Sequence, residues 1–287
     1  MFVITGVTGQ VGNAVASQLL AQGKPLRVIV RNQEKGALWA SKGCEVVVAE
    51  YIDVAALTAA FTGAEGVFIL MPPNYDPAPG FPETVKFNDA IRSALDQASP
   101  SKVVVLSTVG AHVERENLLV NLQMSEKSFA SLSMPIVFLR AAWFMENSAW
   151  DLPDAKRGQI NGYLQPPDHP IPMVAVKDIG VAVATLLEQT WEGRRIVELE
   201  GPTRYNACEI GDALSDAFGH EVRTHFIAQD EWDGLFRAQG ASNPLPRIQM
   251  IQGFNEGWID FEGGECEQWK GETSLATAIK ALVAGRV

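Results

Sequence analysis

The residues best suited to chemistry stand at the start of the chain, where Gly6, Gly9 and Gly12 follow a short apolar run that ends in Thr5. Glycine at this spacing lets a strand turn sharply, brings backbone close to a pyrophosphate and allows the next helix to pack tightly on its sheet. The N–H groups of Gly9, Gln10 and Val11 would then face phosphate oxygens from the positive end of that helix, with Thr8 in the same turn. Glycine triplets also serve ordinary turns, so the flanks decide. Val11, Val15 and Leu19 recur at the helical period, Gly23 and Pro25 stop the helix, and residues 26–30 form a second apolar strand. The unit is strand, helix, strand, the frame in which such a turn binds a dinucleotide.

The side chain at the end of the second strand selects the nucleotide. An acid there bonds the 2′-hydroxyl of NAD, whereas an arginine suits the 2′-phosphate of NADP. Here it is Arg31, and residues 26–33 contain no Asp or Glu although the chain is acidic. NADP(H) is the expected cofactor, against the plainer reading of a solvated arginine. Asp53 is a candidate for contact with the adenine and equally a helix N-cap.

The elements that must position these residues alternate. Helices are expected over residues 34–42, 54–61, 83–98 and 120–131, and strands over 44–49, 66–71, 102–107 and 135–140. Such alternation means an α/β fold, a Rossmann-like doubly wound parallel sheet covered on both faces. Beyond Arg140 the pattern loosens into strands at 159–163, 195–200 and 221–227 and helices at 177–189, 229–239, 246–256 and from Ser274, with Asn206 and Glu209 forming a capping box. The expected organisation is a dinucleotide-binding domain over residues 1–150 and a smaller α/β lobe on the substrate side over 151–287, parts of which return to the main domain. Ligands of open α/β sheets lie at the carboxyl ends of the strands. Two segments leave strands at that edge. One is the five-proline loop 72–82, which is a wall of the site or a plain connection; the other is the aromatic run 141–147.

Composition narrows the class. The 287 residues carry a net charge of −11, and the 23 Lys and Arg residues form no cluster that could follow a nucleic-acid backbone. No apolar run reaches the about 18 residues of a membrane span and no basic segment precedes the first apolar residues, so a cytoplasmic protein is expected. Cys44, Cys208 and Cys266 read as reduced thiols, and His112, His169, His220 and His225 show no metal-ligand spacing; no metal is expected.

The glycine turn, Val30-Arg31-Asn32, Leu106-Ser107-Thr108, Arg140 followed by Trp143-Phe144-Met145-Glu146-Asn147, and Val176-Lys177-Asp178-Ile179-Gly180 together resemble the NmrA-like family of atypical short-chain dehydrogenases/reductases, in particular its NADP(H)-dependent quinone and azo-dye reductases. The resemblance implies NADP(H) along Gly6, Thr8, Gly9, Gln10, Val11, Gly12 and Arg31. It further implies Met71, Pro72, Pro73 and Ser107 near the nicotinamide half, and Trp143, Phe144 and Asn147 facing a small-molecule electron acceptor. Trp143 and Phe144 could equally be core aromatics.

One departure carries weight. Short-chain dehydrogenases that act on alcohols and simple ketones use a Tyr with a Lys four residues on, but Tyr51, Tyr75, Tyr163 and Tyr205 are followed at that spacing by Ala55, Pro79, Pro167 and Glu209. The positions that correspond in relatives are Leu122 and Glu126. Without a positioned acid, reduction to a basic alkoxide slows by about 10²–10⁴, whereas a hydroquinone anion takes its proton from water. A quinone-type reductase is expected. The alternatives are an NADP(H)-binding redox sensor with a regulatory protein partner, and a carbonyl reductase in which Ser107, Thr108 or His112 supplies the proton; Glu126 is a further weak catalytic candidate. A homodimer is left open.

Overall fold

The computed structural model describes residues 1–285. Strand and helix alternate as the hydrophobic periods require: β1 (Phe2–Ile4), α1 (Gln10–Ala21), β2 (Leu26–Val30), α2 (Gln33–Ser41), β3 (Glu45–Val48), α3 (Val54–Phe61), β4 (Gly66–Ile69), α4 (Pro82–Ala98), β5 (Val103–Thr108), α5 (Val120–Phe129) and β6 (Ile136–Ala141). Shorter elements follow: β7 (Trp143–Phe144), α6 (Leu152–Ala155), β8 (Gln159–Gly162), β9 (Met173–Val174), α7 (Val176–Glu188) and β10 (Arg194–Glu200). The chain closes with α8 (Ala207–Phe218), β11 (Arg223–Phe226), α9 (Trp232–Ala238), α10 (Leu245–Asn255), β12 (Glu267–Lys270) and α11 (Leu275–Val283).

Eight strands form one sheet in the order β12-β10-β6-β5-β4-β1-β2-β3, with every pairing parallel. This is the doubly wound α/β sheet expected from the alternation. Its inner strands are buried end to end, as β5 and β6 show, because helices cover both faces. On one face α1 and α7 bury Val15, Leu19, Ile179 and Val183; on the other α3, α4 and α5 bury Leu57, Ile91, Leu95 and Phe129. A third apolar cluster gathers Leu214, Phe254 and Ile279 from α8, α10 and α11, and a fourth gathers Trp232, Phe236 and Ile251 from α9 and α10. β8 and β11 pair apart from the main sheet. No helix among the described residues is long and apolar enough to cross a membrane.

The differences from expectation have local causes. β12 has no apolar run, since Glu267-Gln268-Trp269-Lys270 lies on the sheet edge with alternate residues exposed, and only its pairing with β10 defines it. The helix expected over 229–239 starts as a 3₁₀ turn, Gln229–Glu231, before α9. The helix expected over 120–131 stops at Phe129, and the strand expected over 66–71 stops at Ile69.

Candidate functional site

The site begins where β1 meets α1. Thr5 Oγ1 accepts from Leu70 N at 2.8 Å and donates to the Phe68 carbonyl at 3.1 Å, fixing the end of β1 against the end of β4. Gly6 turns with φ +69°, and a Cβ there would lie 2.6 Å from Leu70 Cδ2. A Cβ on Gly12 would fall inside the Gly6 carbonyl and 2.7 Å from Val7 N, so the chain's own packing requires both glycines. Gly9 is different. It is exposed with ordinary φ, and a Cβ there would touch nothing closer than Gly6 O at 3.5 Å. Its bareness serves the open side of the turn, where a Cβ would fill the cradle. Helix α1 has no side-chain cap and no acid in its first turn, and the N–H groups of Gln10, Val11 and Gly12 have no acceptor among the described residues. An uncapped helix start of this kind fits a phosphate group. Thr8 and Gln10 are exposed beside it, while Val11 and Gly12 are buried.

Arg31 leaves the carboxyl end of β2, the strand paired with β1, and is exposed without a hydrogen bond or ion pair among the described residues. The next residue, Asn32, caps α2 by accepting from Lys35 N at 2.9 Å. Asp53 caps α3 by accepting from Ala56 N at 3.0 Å, the capping role read from its position. Tyr51 donates to the Leu70 carbonyl at 2.8 Å, and burial pushes its phenol up against the opposing influence of Thr5 and Arg31.

At the ends of β5 and β6 the structure brings Ser107 and Glu126 together. Ser107 Oγ donates to Glu126 Oε1 at 2.5 Å, and Arg140 donates to both oxygens of Glu126 from Nε (3.0 Å) and Nη2 (2.9 Å). Arg140 Nη1 reaches Glu262 at 2.6 Å and lies 3.6 Å from Glu198. Burial opposes the charge on Arg140, but the hydrogen bonds it donates to Glu126 and Glu262 outweigh it and hold its pKa above the usual value. The same guanidinium holds Glu262 below the usual carboxylate range. Glu198, Glu262 and Cys266 converge closely enough to hold a metal ion, yet the cation placed among them is Arg140. His112 stays exposed on the loop after β5, at the rim of a groove lined by Gln123, Glu126 and Arg140. Leu122 packs against the core beneath α5 and offers no proton.

The aromatic run is drawn inward. Trp143 is half-buried with its ring edge-on to Phe254, 5.2 Å between centroids, and Phe144 packs against the core under α1 and α7. Asn147 is half-buried in the 3₁₀ turn Met145–Asp151, and Glu146 accepts from Val176 N at 3.0 Å to cap α7. Met71 is buried, Pro72 half-buried and Pro73 exposed. From there the proline loop reaches across to the α9–α10 connection. Asp76 accepts from Ser242 N at 2.8 Å and Asn243 N at 2.6 Å, and Tyr75 meets Trp150 edge-on at 5.2 Å. The sequence marks loop 72–82 as a wall or a plain connection but does not show this anchoring, because Asp76 and its two donors lie more than 160 residues apart.

The profile of the NmrA-like family matches residues 1–239. The chain belongs to the NmrA-like family. This NmrA-like chain is 29% identical over 233 residues to a (4-alkanoyl-5-oxo-2,5-dihydrofuran-3-yl)methyl phosphate reductase of Streptomyces griseus, covering 80% of this chain and 78% of the relative. It is 24% identical over 248 residues to quinone oxidoreductase 2 of Escherichia coli, covering 85% and 84%. Among solved structures, an NADPH-dependent quinone oxidoreductase from Escherichia coli in complex with NADPH aligns with a TM-score of 0.80 at 22% identity, over 98% of this NmrA-like chain and 99% of the other. That likeness shows the shared fold.

Proposed function

We propose that the protein is an NADPH-dependent reductase that passes hydride to a quinone-type or similarly easily reduced small molecule. The observation that carries this reading is the bare start of α1, where an exposed Gly9 leaves room for a pyrophosphate and three first-turn N–H groups lack acceptors among the described residues. Arg31, free at the end of β2, favours the 2′-phosphate of NADP over NAD. The names of the relatives agree: two are reductases or oxidoreductases, and the aligned Escherichia coli structure holds NADPH. When bound, the cofactor supplies the hydride. Gly6, Thr8, Gly9, Gln10, Val11 and Gly12 would hold the pyrophosphate, Met71, Pro72, Pro73 and Ser107 would border the nicotinamide half, and Trp143, Phe144 and Asn147 would line the way to the acceptor.

The proton is where this chain differs from an alcohol dehydrogenase. Leu122 has none to give, and Glu126 is taken up by Arg140 and Ser107. A product that must be protonated by water is therefore favoured, which suits a hydroquinone anion and disfavours an alkoxide by about 10²–10⁴ in rate. Purified protein should oxidise NADPH with small quinones and leave aliphatic ketones untouched. Tight NADPH binding with no turnover across a broad acceptor panel, and a protein partner retained in one nucleotide state only, would replace this reading with that of a redox sensor.

A further inference from the structure

Among the described residues five arginines are partly or fully buried: Arg27, Arg140, Arg195, Arg204 and Arg247. Four of them have a carboxylate within hydrogen-bond distance, Glu45 at 2.8 Å, Glu126 at 2.9 Å, Glu267 at 2.7 Å and Asp260 at 2.7 Å. Arg247, on α10, has no carboxylate within 4.0 Å and no hydrogen-bond acceptor among the described residues. Its guanidinium lies 4.2 Å from the centroid of the Phe236 ring and 5.9 Å from that of Trp150. Tyr163 meets Phe236 at 5.4 Å and Tyr75 meets Trp150 at 5.2 Å, so aromatics from four separate segments surround one cation. Three nearby acids are committed elsewhere, Asp76 to the Ser242 and Asn243 N–H groups, Asp154 to Arg157, and Asp233 to Arg237, and Asp151, next to Trp150, makes no ion pair with Arg247 within 4.0 Å. Burial pulls the Arg247 pKa down, which the hydroxyls of Tyr163 and Tyr75 oppose.

A guanidinium stacked on rings keeps its N–H edge free, and its planar fork matches an oxyanion. A desolvated cation without a counter-charge costs free energy that a bound anion would return. The place fits as well. Tyr75 lies on the loop that leaves β4 just after Leu70, the residue against which Gly6 packs, and Trp150 lies near the end of the turn that follows Trp143 and Phe144. Trp150 is 58% exposed, so the box is open to solvent.

We propose that Arg247 recognises an oxyanion substituent on the electron acceptor: the site takes a flat conjugated molecule carrying a carboxylate, sulfonate or phosphate, its ring against the exposed face of Trp150 beside Tyr75 and its oxyanion on the N–H edge of the guanidinium that Phe236 supports. For turnover this rests on the reductase reading; for binding it stands alone. The test uses the full chain with two matched pairs, 1,4-naphthoquinone against its 2-sulfonate in NADPH oxidation, and 2-naphthalenemethanol against naphthalene-2-sulfonate, neither of them reducible, in titration calorimetry. The unaltered protein should bind naphthalene-2-sulfonate more tightly than the neutral analogue. Arg247→Met should lower kcat/KM for the sulfonated quinone relative to the parent by about 10- to 100-fold, mostly through KM, as expected for loss of a charge-assisted hydrogen bond. Arg247→Lys, which keeps the charge without the fork, should retain part of the preference, and thermal melting checks that both variants fold. Equal losses for both quinones, or no preference for the sulfonate by the unaltered protein, would reduce Arg247 to a stacking support and overturn the proposal. Arg247-dependent binding of naphthalene-2-sulfonate without any quinone turnover would sink the reductase reading and leave this one standing.

Discussion

At the end of β1 the N–H groups of Gln10, Val11 and Gly12 face no acceptor among the described residues, whereas at the ends of β5 and β6 Ser107, Glu126 and Arg140 bond to one another and to Glu262. Both places lie at the carboxyl edge of one sheet, so position in the fold does not separate them. Polar satisfaction does. A group whose hydrogen bonds are closed within the protein holds the protein together, and a group left open is available to a ligand. Where the sequence resemblance leads one to expect a proton donor, Glu126 is held in an ion-pair network instead.

The largest effect should come from breaking the closed region. Arg140→Met removes the cation shared by Glu126, Glu198 and Glu262 and should cost about 3–5 kcal/mol in urea unfolding. A loss below about 1 kcal/mol would mean that the network contributes nothing to the fold. The open region should divide between its own glycines. Gly12→Ala drives a Cβ into the Gly6 carbonyl and should cost about 3 kcal/mol. Gly9→Val should leave the unfolding midpoint nearly unchanged while NADPH affinity, followed by protein fluorescence, falls at least about 100-fold, a loss of about 2.7 kcal/mol. Retained affinity in that variant would place the nucleotide elsewhere.

The smallest effect belongs to a group between the two extremes. Asp151, half-buried after the aromatic run, makes no hydrogen bond among the described residues; burial and then Asp154 push its carboxyl from 3.8 to about 6. The folded state thus holds this proton more tightly than the unfolded state does. Stability from this group is highest below pH 3.8 and falls as pH rises to about 6. Asp151→Asn should therefore raise stability by about 2 kcal/mol above pH 6 and by almost nothing near pH 4, as read from melting curves at both values. An equal gain at both pH values would refute the buried-acid account.

What was legible in the sequence is what local chemistry dictates. The glycine turn, the Asp53 cap and the Asn206–Glu209 capping box depend on neighbours within a few residues, and each forms where its spacing places it. Proline and glycine punctuation likewise located most element ends to within two or three residues. The rest depends on contacts that no window spans. Glu262 meets Arg140 across 122 residues, β12 owes its strand to β10 alone, and the Arg247 box draws on four segments. Trp143 illustrates the same limit, because its place after a strand could not reveal that its ring meets Phe254 from α10.

The position of β12 also bears on the order in which the protein can be completed. Glu198, 1% exposed in the middle of β10, accepts from Glu262 N at 2.8 Å, Gly263 N at 3.0 Å and Gln268 Nε2 at 2.6 Å. All three donors come from the last quarter of the chain. During synthesis the nucleotide turn, both helical layers and seven of the eight strands emerge before any of them, and until residues 262–268 arrive that carboxylate has only the more distant Arg140 for company. Residues 262–268 therefore finish the sheet by settling a charge, before α11 closes the apolar cluster of α8 and α10, and a nascent chain that stops short of them holds a nearly complete sheet with one acid still in search of its donors.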